Sequence, residues 1–230
     1  MSSAQTIIAI DGPSGTGKST TAKMVAKELG FTYLDTGAMY RAIAYLVESG
    51  ELRVESFQNS QFNLSFDKNN QILINGVNRE IEIRDPKISA VVSKYSAIPA
   101  IREALTAQQR EIASAEPCVL DGRDIGTVVF PNAKRKFFLT ADYKTRASRR
   151  LLELQSAGKS GCETLESVEK NLRERDSLDS NREIAPLAKA KDAIEIDTSN
   201  LTIQEQVQKV LQSVGEVARC NNSLSTTPKG

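Results

Sequence analysis

The stretch Gly12-Pro-Ser-Gly-Thr-Gly-Lys-Ser-Thr20 constrains the fold of this chain more than any other feature. It fits the pattern G-x-x-x-x-G-K-[ST], between an apolar run, Ile7 to Ile10, and a helix-like pattern, Lys18 to Leu29. Glycines let successive backbone N–H groups turn inward around phosphate oxygens, and the start of a helix adds a favourable dipole. The stretch therefore predicts a strand, a phosphate-binding loop and a helix in an α/β fold.

This loop indicates that a nucleoside triphosphate is bound, together with Mg²⁺. Lys18 would reach the β- and γ-phosphates, and the hydroxyl of Ser19 would ligate the metal. The residues predicted to bind the triphosphate are Gly12, Pro13, Ser14, Gly15, Thr16, Gly17, Lys18, Ser19 and Thr20, with Arg149 and Arg150 on a later helix. The loop leaves open whether the acceptor is water, a protein or a small molecule.

The rest of the chain alternates strands with helices, which predicts a doubly wound parallel sheet. We predict strands at 6–11, 31–35, 117–121, 136–140 and 193–196, and helices at 18–29, 38–49, 86–96, 98–115, 142–157, 163–179 and 202–218. The stretch 193–196 is predicted as a core strand.

Two segments interrupt this alternation. Between about 62 and 83 a small antiparallel sheet is predicted, with a hairpin at Asn75-Gly76 before Arg79-Glu-Ile-Glu-Ile83. Gly158-Lys-Ser-Gly161 separates two helices and predicts a short lid, about 155–163, with hinges at the glycines. We expect one domain over 1–230, with a nucleotide-binding insert at about 62–96 and a disordered polar tail at 221–230.

Composition excludes several classes of protein. The net charge is +1, from 30 basic and 29 acidic residues, which argues against a nucleic-acid or membrane binder held by bulk charge. The chain has no histidine, which excludes Ser-His or Cys-His nucleophiles and imidazole bases. Its three cysteines are far apart, its apolar runs are short, and its start does not resemble a signal peptide. We expect a cytoplasmic monomer.

Two further motifs follow predicted strands. Asp35-Thr-Gly-Ala-Met-Tyr-Arg41 places a ring and a guanidinium close together, which suits a base or sugar and a phosphate, although a capped surface helix is the alternative. Val119-Leu-Asp121 ends a strand in a carboxylate that could hold Mg²⁺, and Arg123 and Asp124 follow at the edge where α/β sheets bind ligands. The division of roles between Asp121 and Asp124 stays open, as does a plain charged turn.

An array of arginines lies near the C-terminus. Arg146, Arg149 and Arg150 precede the glycine break, and Arg173 and Arg175 follow it. Arg175, Asp179 and Arg182 are spaced i, i+4, i+7 and share one face if the helix persists. Arginines held apart by a carboxylate could clamp a phosphate; the alternative is a solvent-exposed charged face.

Taken in order, these stretches resemble the bacterial cytidylate kinase family, in the nucleoside monophosphate kinase group. The resemblance runs through "IAIDGPSGTGKST", "LDTGAMYRA", "IREALTAQQR", "LDGRDIGTVVFPNA", "ERD" and "NREIAPLAKAKDAIEIDTS", nearly the whole chain except the tail. It implies a P-loop kinase fold and transfer of the γ-phosphoryl group of ATP to CMP or dCMP.

The resemblance also implies a set of site residues. The acceptor site would comprise Thr36, Tyr40, Arg41, Ser93, Arg102, Arg123, Asp124, Arg175, Asp179 and Arg182. Lys18, Arg123, Arg175 and Arg182 would be catalytic, and Ser19 and Asp121 would bind the metal, directly or through water. Ser96 is an alternative to Ser93. The rival functions are a small-molecule kinase for UMP, AMP or shikimate, and an NTP-binding regulator that transfers nothing; the N-K-x-D motif of a GTP switch is absent.

Overall fold

The computed structural model describes residues 6–59, 61–156, 158 and 163–223. Its main sheet has five parallel strands: β1 (Ile7–Asp11), β2 (Thr32–Asp35), β6 (Cys118–Gly122), β7 (Arg135–Thr140) and β8 (Ile194–Asp197). Their order across the sheet is β2-β6-β1-β7-β8. The helices are α1 (Lys18–Leu29), α2 (Thr36–Glu48), α3 (Glu80–Ile83), α4 (Pro86–Ser96), α5 (Pro99–Ala113), α6 (Tyr143–Ser156), α7 (Leu165–Asn181) and α8 (Ile203–Ser223).

Helices cover both faces of the sheet and bury two apolar cores. On one face α1 and α8 pack over residues such as Ile8 and Ile10. On the other, α2, α4 and α5 cover Ile7, Ala9 and Leu34. Alternate residues of β1 thus point into different cores, which explains the continuous apolar run. The predicted doubly wound parallel sheet is confirmed.

A second, antiparallel sheet consists of β3 (Leu64–Phe66), β4 (Ile72–Ile74) and β5 (Val77–Asn78). Asn75 and Gly76 form the predicted hairpin, with φ of 51° and 79°. The prediction fails just beyond it, because Glu80–Ile83 is a helical turn rather than a strand. Asn78 Oδ1 accepts from the N–H of Glu80, and an i,i+4 ion pair joins Glu80 to Arg84, so local contacts favour the turn.

Element ends also differ from the sequence prediction. Helix α2 begins at Thr36, not at 38, because Asp35 Oδ1 caps the N–H of Ala38 at 2.9 Å. Strand β8 is an edge strand, not a core strand, and Ile194 is 44% exposed. Residues 221–223 belong to α8 instead of a disordered tail; 224–230 lie outside the described residues.

Three further observations concern regions relevant to the predicted function. A π-helical turn, Ile125–Val129, follows β6 and was not predicted. Most of the segment predicted as a lid (157 and 159–162) lies outside the described residues, so the lid stays a prediction. In the part of the chain that the structure describes, no helix is long and apolar enough to cross a membrane.

Candidate active site

A cavity of about 430 Å³ opens at the carboxyl ends of β1, β2 and β6. It is lined by the phosphate-binding loop and by α2, α4, α5, α6 and α7. All the predicted acceptor-site residues line it: Thr36, Tyr40, Arg41, Ser93, Arg102, Arg123, Asp124, Arg175, Asp179 and Arg182. Lys18, Ser19, Asp121 and Arg150 line it too, whereas Arg149 does not. The topology brings together residues separated by up to 168 positions in the chain, from Ser14 to Arg182.

The phosphate-binding loop has the backbone that its glycines permit. Gly15 and Gly17 have φ of 79° and 86°, and a Cβ at Gly12 would lie 2.2 Å from the carbonyl oxygen of Leu139. Lys18 Nζ donates to the carbonyl of Pro13 at 3.2 Å across the loop. Burial, and after it the Arg123 guanidinium, lowers the pKa of Lys18 to about 7. This lysine therefore lacks a nearby anion strong enough to offset its burial.

Side chains remote in sequence hold the loop from outside. Arg146 Nη1 donates to the carbonyl of Ser14 at 3.0 Å, and Thr198 Oγ1 donates to that of Thr16 at 2.9 Å. Arg149 donates to the carbonyl of Thr198 at 2.6 Å and to that of Thr16 at 3.5 Å. The guanidinium of Arg149 thus contacts the outer side of the loop. Thr198 was not predicted, since no local motif marks it.

Two hydroxyl groups meet the carboxylate of Asp121 where β6 ends beside α1. Ser19 Oγ donates to Asp121 Oδ2 at 2.7 Å, and the Tyr33 hydroxyl donates to Oδ1 at 2.8 Å. Burial first, and then Asp35, raises the pKa of Asp121. Among the described residues, no group of three or more His, Cys, Asp or Glu side chains could hold a metal by itself. The Ser19–Asp121 pair fits Mg²⁺, which commonly takes one or two protein oxygens and completes its shell with phosphates and water.

Four cations converge beyond the loop: Lys18, Arg41, Arg123 and Arg175. Burial, and then Arg123 and Arg41, lowers the pKa of Arg175 to about 9. Arg175 Nε is buried and has no hydrogen-bond partner among the described residues. Arg41 is also in a desolvated position, with Asp35 as its main anionic neighbour. Such a cluster is costly without a counter-charge, so it marks a site for an anion.

The far end of the cavity is organised around Asp124. Its carboxylate forms a buried ion pair with Arg102 and lies 3.6 Å from Arg182 Nη2. The guanidinium carbon of Arg102 lies 5.2 Å from the centre of the Tyr40 ring. This end offers a fixed carboxylate acceptor between guanidinium donors, beside an aromatic ring.

Asp179 connects the two ends. Its oxygens accept from Ser93 Oγ at 2.9 Å and from Arg123 Nε at 3.0 Å. Burial alone would raise the pKa of Asp179, but Arg123 and Arg175 lower it. Ser96 Oγ instead donates to the carbonyl of Ser93. Of the two candidate serines, Ser93 is therefore the one bonded to a carboxylate of the cavity.

Two predictions about these side chains need qualification, and one residue of the cavity was not predicted. Helix α7 ends at Asn181, so Arg182 does not share a helical face with Arg175; its extended backbone (ψ 143°) still brings it into the cavity. The Thr36 hydroxyl donates to the main-chain oxygen of Asp121 at 2.7 Å, which ties α2 to β6. Arg84 was missed, although it lines the cavity and pairs with Asp35 at 2.8 Å.

Comparison with known proteins identifies the family. The family model described as cytidylate kinase matches residues 8–216. A cytidylate kinase of Clostridium tetani is 46% identical over 89% of this chain and 91% of its own length. One from Flavobacterium johnsoniae is 45% identical over 92% of this chain and 97% of its own length. A bifunctional pantoate ligase/cytidylate kinase of Prochlorococcus marinus is 46% identical over 89% of this chain, which spans 41% of that longer protein.

Solved structures support the fold at much lower sequence identity. A gluconokinase from Sinorhizobium meliloti 1021 superimposes with a TM-score of 0.52 at 13% identity, covering 96% of this chain and 98% of the other. A protein from Eubacterium ventriosum gives a TM-score of 0.50 at 12% identity, covering 92% and 99%. With the family match over most of its length, this chain belongs to the cytidylate kinase family.

Proposed function

We propose that this protein transfers the γ-phosphoryl group of ATP to CMP or dCMP, forming ADP and CDP or dCDP. The observation that carries the proposal is the cavity itself. It joins a phosphate-binding loop to a cluster of cations in which Arg175 Nε has no partner among the described residues, and it ends at a carboxylate held between two arginines. This arrangement suits a second nucleotide, with its phosphate towards the loop and its base at Asp124.

The acceptor phosphate would lie among Arg41, Arg123 and Arg175, with Lys18 between it and the donor. Guanidinium groups match phosphate oxygens geometrically, and they stabilise the charge that develops as the phosphoryl group moves. Because the acceptor is already an anion, the transfer needs little general-base help, in accord with a chain that has no histidine.

The base would be read by Asp124, with Arg102, Arg182 and Ser93 around it. Cytosine presents an amino group as a donor at C4, where uracil presents an acceptor oxygen. A fixed carboxylate pairs with the amino group and repels the uracil oxygen, and a buried polar site left unpaired discriminates strongly. Asp179 and Tyr40 would bound the space for the sugar.

The donor half would bind ATP through residues 12–20, with Arg150 at the open side. Mg²⁺, held by Ser19 and Asp121, would screen the phosphate charges and polarise the transferring group. Arg149 supports the loop from outside, so we assign it a positioning role rather than a contact with ATP. The predicted lid at 155–163 would exclude water, which otherwise competes with CMP for the phosphoryl group.

The remaining expectations concern the molecule as a whole. We propose that the segment 62–96 forms the acceptor-nucleotide insert, since Arg84, Ser93 and Ser96 contribute to the cavity wall. Cytoplasmic location, a monomeric state and the absence of nucleic-acid or membrane partners stay predictions from the sequence.

Steady-state phosphorylation of CMP, dCMP, UMP and AMP tests the proposal, with release of free phosphate measured in the absence of any acceptor. We expect CMP and dCMP to have the highest kcat/KM, and little ATP hydrolysis alone. A preference for UMP or AMP would refute the substrate assignment. Phosphate release that is independent of an acceptor would favour a regulator that transfers nothing.

A further inference from the structure

Asp11, the last residue of β1, has no role in the site described so far, yet its carboxylate is buried. The residue is 4% exposed, and it lies directly before the first glycine of the phosphate-binding loop. Oδ1 accepts from the N–H of Ile125 at 2.9 Å, and Oδ2 accepts from the N–H of Gly126 at 2.7 Å. Both N–H groups belong to the first turn of the π-helical segment after β6.

Those two N–H groups are the ones that a helix leaves without internal partners. An aspartate at the N-cap normally accepts with its own side chain from the second or third N–H of the helix, here that of Gly126 or Thr127. Asp35 does so for α2, and Asp85 does so for α4. The N-cap residue of the π-helical turn is Asp124, and its side chain makes no capping hydrogen bond.

From another strand, Asp11 thus makes the bond to Gly126 that Asp124 would otherwise be placed to make, and it also satisfies the N–H of Ile125. We propose that Asp11 is a positioning residue for acceptor recognition: by capping the turn, it leaves the Asp124 carboxylate free to face the cavity. This inference rests on the proposed function, because it takes Asp124 as the group that reads the base.

The surroundings of this contact are tightly fixed. Asp11 pairs with Gly122 in the β1–β6 ladder, so its carboxylate reaches just past the end of β6 to the turn. The turn closes on the carbonyl of Asp124, which accepts from Val128 at 2.8 Å and from Val129 at 3.1 Å. A Cβ at Gly126 would lie 3.3 Å from Asp11 Oδ2 and 3.1 Å from Lys136 Cδ. There is little room for the turn to shift while Asp11 stays in place.

The substitution Asp11→Asn tests the proposal. Asparagine keeps one acceptor oxygen but turns an amide N–H₂ toward a backbone N–H, so one cap is lost and two donors face each other. The Asp124 carboxylate then becomes the nearest replacement cap and is drawn away from the base. We expect the ratio of kcat/KM for CMP to that for UMP to fall by about fivefold or more, with KM for ATP within about twofold of wild type.

Asp197→Asn is the matched control. Asp197 also ends a strand of the same sheet, and its carboxylate accepts from the N–H of Ser199 at 2.9 Å, but it does not line the cavity. We expect the CMP:UMP ratio of this variant to equal that of wild type. Wild type itself tests the function separately: if it does not prefer CMP, the proposed function fails, whatever Asp11 does.

A purely structural role for Asp11 would lower stability or total activity without changing base selectivity. An unchanged CMP:UMP ratio of kcat/KM in Asp11→Asn, at any level of activity, would therefore overturn the proposal. An increase in KM for ATP as large as that in KM for CMP would overturn it too. If that variant does not fold, Gly126→Ala disturbs the same contact without removing the charge. The same ratio is then measured: a fall supports the proposal, and no change overturns it.

Discussion

The phosphate-binding loop and the acceptor end of the cavity differ in how their polar groups find partners. In the loop, the carbonyls of Pro13, Ser14 and Thr16 accept bonds from neighbouring side chains, so the loop is held before any nucleotide arrives. At the acceptor end, Arg41, Arg123 and Arg175 crowd together, and Arg175 Nε lacks a partner among the described residues. Side chains that donate to its backbone thus hold the donor loop in place. The acceptor site has more guanidinium charge than Asp35 and Asp179 offset, and a phosphate would neutralise the excess.

The largest expected effect comes from Lys18, whose charge lies between the donor and acceptor halves of the cavity. Lys18→Ala should lower kcat by about 100- to 1000-fold, because it removes the cation nearest the transferring group. Lys23→Ala, an exposed position on the same helix, is the control and should retain wild-type rates. Coupled measurement of ADP formation with CMP as acceptor checks both. If the Lys18 variant kept most of the wild-type activity, the proposed role of the loop in phosphoryl transfer would be contradicted.

Arg175→Ala should affect the acceptor half alone. We expect kcat to fall by about 100-fold and KM for CMP to rise, with ATP affinity unchanged, because the guanidinium faces the acceptor phosphate. Arg173→Ala is matched, since Arg173 lies on the same helix but pairs with Glu169 at 2.7 Å on the exposed side. Similar losses in the two variants would mean that the array is only a charged helix face.

Asp124→Asn should alter selectivity more than rate. The CMP:UMP ratio of kcat/KM should fall by about 10-fold, since an amide can donate to the uracil oxygen as well as accept from cytosine. The buried ion pair with Arg102 is weakened as well, so the free energy of unfolding should also decrease. A wild-type ratio in a folded variant would place base recognition elsewhere.

A smaller effect is expected at Arg149, where two possible roles, support of the loop and direct contact with ATP, predict different results. If Arg149 supports the loop, Arg149→Ala should raise KM for ATP by only about two- to fivefold. The free energy of unfolding should fall by about 1 kcal/mol per hydrogen bond removed. A direct contact with ATP would instead give a loss of affinity with unchanged stability. Thermal unfolding and KM for ATP, measured on the same preparation, separate the two roles.

The pH dependence of the free energy of unfolding tests Asp11, the buried residue that joins the phosphate-binding loop to the turn after Asp124. The net effect of its surroundings raises the pKa of Asp11 from 3.8 to about 7: burial is the main cause and Asp124 adds to it, while the two N–H bonds and Arg123 oppose the shift. Because the folded state then binds a proton more tightly than the unfolded state, the free energy of unfolding should fall as pH rises from about 4 to about 7. Two further charged side chains contact this turn: Lys136 packs against Gly126, and Arg110 donates to the carbonyls of Val128 and Val129.

Asp11→Asn removes this titration. Relative to the variant, wild type should lose stability between about pH 4 and about pH 7, as measured by urea unfolding midpoints. A constant difference between the two proteins across this range would show that Asp11 does not titrate in the folded state with a raised pKa.

The two halves also differ in how far the sequence reveals them. The loop is a contiguous motif, and the bounds predicted for α1, Lys18 to Leu29, match the structure. The strands β1 and β6 could be predicted too, because each is a contiguous apolar run in the sequence. The acceptor end joins α2, α4, α5, α7 and the end of β6, so its residues came from the family resemblance more than from spacing.

The features that sequence reasoning missed depend on contacts between distant residues. Thr198 meets Thr16 across 182 positions, and Asp11 meets Ile125 across 114. Arg84 was overlooked because Glu80–Ile83 was predicted as a strand, which hid the turn that aims Arg84 at Asp35. The helical spacing of Arg175 and Arg182 suggested a shared face, but the chain leaves the helix at Arg182. None of these contacts has a local signature.

A crystal structure of the protein with CMP bound tests the central claim most directly, that the acceptor end selects a cytidine nucleotide by charge and hydrogen bonding. The account predicts the cytosine amino group within hydrogen-bond distance of Asp124, and the phosphate among Arg41, Arg123 and Arg175. A base that lies away from Asp124, or a phosphate that contacts none of the three arginines, would contradict it.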